Sequence, residues 1–118
     1  MKRYAAKLFF QYRVDLGTEI GKRRTCEERI VLIDASSAKS ALAKAKRKGS
    51  KAENDYDNNE GNRVYFEFIG VRELLLLDPE CAEDEVWYEI VDRVLPMERR
   101  DVFIPLETEL NAIRHETL

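Results

Sequence analysis

The chain has 118 residues, 44% of them hydrophobic and 36% charged, a length and mixture that fit one folded domain without disulfide or metal staples and exclude a disordered chain. No apolar run reaches the ~18–20 residues that cross a bilayer, and Met1-Lys2-Arg3-Tyr4 leads into no apolar core of a leader peptide, so no membrane contact and a cytoplasmic location are expected. The net charge of −3 disfavours nucleic acid, and it is unevenly spread: residues 36–51 carry Lys39, Lys44, Lys46, Arg47, Lys48 and Lys51 without an acid, and residues 78–92 carry seven acids without a base. Such a dipolar chain can pair its own halves or another copy of itself.

Residues 3–14, RYAAKLFFQYRV, alternate with period two: Tyr4, Ala6, Leu8, Phe10, Tyr12 and Val14 share one phase, which reads as a half-buried strand. DLGTEIGKRR reads as a hairpin connection. TCEERIVLIDA is a second strand, and its Ile30-Val31-Leu32-Ile33 end is apolar on both faces and is expected in the more central part of a sheet. SSAKSALAKAKRKGS is a helix capped by Ser36 or Ser37 and ended by Gly49, with Ala38, Ala41, Leu42 and Ala45 as its apolar stripe. Residues 50–62 read as a loop. RVYFEFIGV is a third strand with Val64, Phe66 and Phe68 inward, and Gly70 marks a bend or bulge before VRELLLL. Asp78-Pro79-Glu80 opens a turn, DEVWYEIVDRVL is a further strand ended by Pro96, and LETELNAIRH is a short terminal helix after a break around residues 99–105.

The fold class expected is α+β: an antiparallel meander of four to five strands, one amphipathic helix on one face and a C-terminal helical segment. Residues 1–118 form one domain in this reading, with a core over 3–95 and a 96–118 extension packed on the sheet or on a partner. The second face is not cleanly polar, because Phe9, Tyr65, Ile69, Trp87 and Val91 occupy its phase, whereas an open sheet in water normally shows a polar outer face. Either the tail around Phe103 or a second subunit is expected to cover it.

A series of segments carries a resemblance. YAAKLFF, EERIVLIDASSAKSALAKA, YDNNEGNRVYFEFIGVREL and EDEVWYE, with Tyr56, Asn58, Gly61, Val64, Phe66, Gly70 and Val71 in their spacing, resemble a bacterial domain family catalogued only as a domain of unknown function. The resemblance covers roughly residues 3–92 and departs at Glu83-Asp84, where the family usually has a glycine. It implies the fold and carries over no activity, ligand or catalytic residue.

The chemical motifs are sparse. Asp55, Tyr56, Asp57, Asn58, Asn59 and Gly61 form a polar loop, but read as a calcium loop the glycine falls one position late and Phe66 stands where a bidentate glutamate is needed. A structural turn is the simpler reading, with a small-ligand loop as the alternative. Lys44, Arg47 and Lys48 are candidate anion contacts, although lysines near a helix C-terminus also complement its dipole. NRVYFEF lacks the Gly-Phe pair of an RNA-binding strand. His115 is the single histidine, close to the end of the sequence, and Cys26 and Cys81 stand in no C-x-x-C pattern; both read as reduced, half-buried thiols. No catalytic residue, metal site or cofactor is assigned. The function expected is a non-catalytic protein-interaction module with a protein partner or itself as a homodimer, through Phe9, Tyr65, Ile69, Trp87, Val91 and Phe103. The alternative is a small-ligand or nucleic-acid binder using the basic helix and the Asp55–Gly61 loop.

Overall fold

Period-two alternation in the first strand, β1 (Lys2–Asp15), fixes the core. Tyr4, Ala6, Leu8 and Phe10 are buried along one face, as the alternation requires. The computed structural model describes residues 1–17, 23–77 and 83–116, which fall into two units, Met1–Tyr88 and Glu89–Leu118.

In the first unit β1 pairs antiparallel with β2 (Cys26–Ala35) on one side and with β4 (Arg63–Leu77) on the other, while β3 (Asn54–Asp57) flanks β4. The sheet order is β2-β1-β4-β3. Two hairpins therefore lie side by side, and the helix between them carries the chain from one edge to the other. The sequence-based reading made two strands of β4, divided at Gly70; it is one strand, bent by two bulges at which Ile69 and Arg72 have no partner on β1.

The helix, α1 (Ala38–Ala52), starts where Ser37 Oγ accepts the Ser40 N–H at 3.1 Å. It lies on the face that carries Tyr4, Leu8, Phe10, Ile33 and Phe66, and it buries Ala41, Ala45 and Gly49, one small residue every four positions. Gly49 does not end the helix, as its sequence context suggests. It sits inside it, where an added Cβ would stand 2.3 Å from the Phe68 ring, so close approach to the sheet explains this glycine. The helix ends at an extended Glu53, whose carboxylate accepts the Phe68 N–H at 3.0 Å.

The expected strand over residues 84–95 is absent: residues 85–94 are irregular. The expected Asp78-Pro79-Glu80 turn lies outside the described residues. In the second unit the backbone turns through Leu95 at φ 47°, followed by α2 (Arg100–Phe103), a 3₁₀ turn (Glu107–Glu109) and α3 (Asn111–Glu116). The expected single terminal helix is thus broken, and a helical turn occupies the expected break. No helix among the described residues is long and apolar enough to cross a membrane.

Candidate functional site

The sheet has two faces and two edges, and each bears on what it can bind. On the face opposite α1, the alternate residues of β1 (Arg3, Ala5, Lys7, Phe9, Gln11, Arg13) stand beside Asp34, Leu32, Ile30 and Glu28 of β2 and Leu77, Leu75, Glu73, Gly70, Glu67 and Tyr65 of β4. One end of this face is charged. Arg13 grips Glu67 through two hydrogen bonds of 2.9 and 3.1 Å, and Gln11 adds a third at 3.0 Å. Arg13 holds Glu67 below the ordinary carboxylate range against the opposing effect of burial. The other end is apolar. Ala5 and Leu77 are buried there, whereas Ile30 and Leu32 remain 45% and 42% exposed.

Of the residues expected at an interface, Phe9, Tyr65, Ile69 and Trp87 lie in the first unit and Val91 and Phe103 in the second. Phe9 is half-buried beneath the Arg72 guanidinium, 5.2 Å from its ring centre, and Arg72 also pairs with Glu28. Tyr65 lies under Arg13 at 4.4 Å. Both rings are capped by cations of their own sheet. Ile69 protrudes at its bulge. Trp87 is on no strand; residues 85–87 lie on the second face, where the Glu85 carbonyl accepts from Arg3 and the indole lies over Lys7 at 4.7 Å. The indole N–H is buried without an acceptor among the described residues. Part of this face is therefore covered by residues 85–87 of the same unit, a segment expected to be a strand. Val91 and Phe103 belong to the second unit, where Phe103 lies under Arg99 and lines an apolar groove with Pro96, Met97 and Ile104.

The expected polar loop is part strand: Asp55, Tyr56 and Asp57 lie on β3, and only residues 58–62 form the turn to β4. Asn58 Oδ1 accepts the N–H groups of Glu60 and Asn62, and Gly61, at φ 79°, donates to the Asn58 carbonyl. Asp55 and Asp57 share Arg63 at 2.9 and 3.2 Å, and Tyr56 is exposed opposite Val64. The six loop residues thus do not converge on a ligand, and no metal-ligating cluster occurs among the described residues. The helix is different. Lys44, Arg47, Lys48 and Lys51 follow i, i+3, i+4, i+7 spacing and line one shallow depression. None of the four forms an ion pair among the described residues, although Lys44 donates to the Asp34 carbonyl at 2.6 Å.

At the open end of the helix-bearing face, Arg29 lies over Phe10 and Phe66 and pairs with Glu27. Arg29 holds Glu27 below the ordinary range, while burial, followed by donation to Glu27, pushes the Tyr12 phenol up. Cys26 is an exposed free thiol rather than a half-buried one; Cys81 lies outside the described residues. His115 is on α3.

β2 is the feature the sequence reading placed differently. Its two-sided apolar pattern suits an interior strand, yet it stands at the sheet edge. A family model described as Domain of unknown function (DUF4288) matches residues 3–87, 85 of the 118. The chain belongs to this family. The match runs from β1 through the four strands and α1 to Trp87, so the family domain coincides with the first unit almost residue for residue. No curated protein and no solved structure matches the chain.

Proposed function

We propose that the chain is a non-catalytic protein-interaction module of the cytoplasm that receives a protein partner, or a second copy of itself, on the side of the sheet opposite α1. The observation that carries the reading is the pair Ile30 and Leu32, which stay 45% and 42% exposed beside Ala5 and Leu75 on a strand patterned for an interior position. Fully burying such a side chain contributes roughly 1.5–3 kcal/mol, and because more than half of each is already covered, the remainder contributes about 1 kcal/mol each before the costs of association. The polar residues of the same face are engaged in structural pairs: Arg13 with Glu67, and Arg72 with Glu28.

Trp87 flanks this surface over Lys7 and serves as an aromatic anchor. Trp87→Ala is expected to weaken association while leaving the circular-dichroism melt cooperative. Unchanged sedimentation, or loss of the folded state, counts against the reading.

A second reading rests on the four cations of α1 that form no ion pair among the described residues, a stripe that suits a phosphate-bearing ligand or nucleic acid. The Asp55–Gly61 loop adds nothing to it, because its two aspartates are held by Arg63. The two readings separate by ionic strength. Phosphate binding falls steeply as salt rises, whereas apolar burial is nearly indifferent to it.

A further inference from the structure

The backbone of β2 narrows the choice of partner. Tyr12 N–H donates to the Thr25 carbonyl at 2.9 Å, which makes Tyr12–Thr25 a hydrogen-bonded pair. The register to β1 then runs unbroken from Gln11–Cys26 to Lys2–Ala35. The pairs alternate, so Glu27, Arg29, Val31 and Ile33 bond to β1, and the N–H and C=O groups of Glu28, Ile30, Leu32 and Asp34 point out of the sheet. The Asp34 carbonyl is met by Lys44. No hydrogen bond among the described residues reaches the main-chain groups of Glu28, Ile30 or Leu32. A regular edge of this kind, with apolar side chains beside it, is a template for another strand.

We propose that β2 of a second copy completes this edge, antiparallel across a two-fold axis at Ile30, and joins two four-stranded sheets into one of eight strands. The proposal rests on the interaction-module reading and names its partner. The choice of partner comes from the strand's self-complementarity. The outward groups belong to even-numbered residues, so even must pair with even and the axis passes through a residue. Four registers overlap at least seven of the strand's ten residues; an axis at Leu32 pairs Ile30 with Asp34, whose outward carbonyl Lys44 already occupies. An axis at Arg29 sets Arg29 against itself, and an axis at Val31 sets Glu28 against Asp34 twice. Like charges directly opposed are destabilising. An axis at Ile30 opposes no like charges: Ile30 meets Ile30, and Leu32 meets Glu28. It is also the midpoint of the open run from Glu28 to Leu32.

The test uses the full chain. Sedimentation equilibrium is expected to show a dimer whose mass falls on dilution and is nearly insensitive to salt. Ile30→Pro removes an outward N–H together with the exposed Ile30 side chain and fixes φ at about −65°, and Leu32→Lys places a charge beside the edge. Each is expected to leave the monomer folded and to weaken dimerisation at least about tenfold, because every loss is counted twice across the axis. In a mixture of isotope-labelled and unlabelled wild-type chains, a contact between the Hα atoms of Arg29 and Val31 on different copies is expected. This contact needs no variant, so a variant that fails to fold leaves the proposal open to refutation.

A dimer that persists in both folded variants, without the Arg29–Val31 contact, overturns the edge pairing and leaves the module reading intact. If that dimer is lost in Trp87→Ala, association belongs to the sheet face. A chain that stays monomeric at millimolar concentration also overturns the proposal; the module reading then rests on a partner of different sequence.

Discussion

The two sides of the sheet treat their exposed backbone in opposite ways. On the β4 side, β3 is four residues long and carries Asp55 and Asp57 around Arg63. Beyond β3, β4 is bulged at Ile69 and Arg72, and Glu53 of the helix end accepts the Phe68 N–H. Short strands, charges and bulges are the usual means of blunting an edge. On the other side β2 runs ten residues in unbroken register, with Ile30 and Leu32 exposed. The contrast teaches that protection is local: the same small domain guards one edge closely and leaves the other regular and apolar. The association proposed above uses the edge left so.

Neighbouring proline substitutions in β2 break the comparison most sharply. Val31→Pro removes an N–H that bonds to β1 and leaves a carbonyl unpaired, so a loss on the order of 3 kcal/mol is expected. Ile30→Pro is expected to cost the monomer about 1 kcal/mol or less. Equal losses in urea titrations of the two variants would show that the assigned alternation is wrong. On the protected side, Gly49→Ala drives a methyl into the Phe68 ring. Overpacking of roughly 1–3 kcal/mol outweighs the ~1 kcal/mol gained in helix propensity. A lowered thermal midpoint, with faster exchange of the Phe68 amide, is the expected record; a raised midpoint would mean that the helix end does not bear on β4.

Two smaller effects sharpen the picture of the guarded edge and the charged face. Arg63→Ala leaves Asp55 and Asp57 without their shared cation, so amide exchange in β3 is expected to rise several-fold while β2 is unaffected. Glu67 and Glu27 are held below their ordinary range by Arg13 and Arg29. Their stabilising contribution is therefore present above an unfolded-state pKa of ~4.3 and is lost as pH falls through the lower folded values. Both carboxylates are a third exposed, so the effect is small. Glu67→Gln is expected to flatten the stability profile slightly below pH 4.5; an unchanged profile would assign the acid sensitivity elsewhere.

Much of this was legible beforehand. The buried phase of β1, the Ser37 cap and the Asn58–Gly61 turn follow from alternation, capping chemistry and a glycine at positive φ. Other features were hidden for physical reasons. Period two says which face a side chain takes but not whether a strand has one neighbour or two, so β2 read as interior. A glycine after a basic helical run looks the same whether it ends the helix or lets it touch an aromatic ring, as Gly49 does. Bulges at Ile69 and Arg72 restore the alternation beyond Gly70, and only the register with β1 shows that β4 continues. Trp87 and Val91 alternate like strand residues, yet Trp87 reaches the sheet from an irregular segment that lies over Lys7. The polar loop's chemistry was visible as a list of residue types; that Arg63 consumes two of its acids required the pairing of β3 with β4.

The most direct measurement is amide hydrogen exchange along β2 at high and low protein concentration. The amides of Glu27, Arg29, Val31 and Ile33 are expected to be protected at both concentrations, and those of Glu28, Ile30 and Leu32 only when the protein is concentrated. Even-numbered amides that exchange freely at every concentration, or that stay protected at every dilution, would contradict the edge pairing.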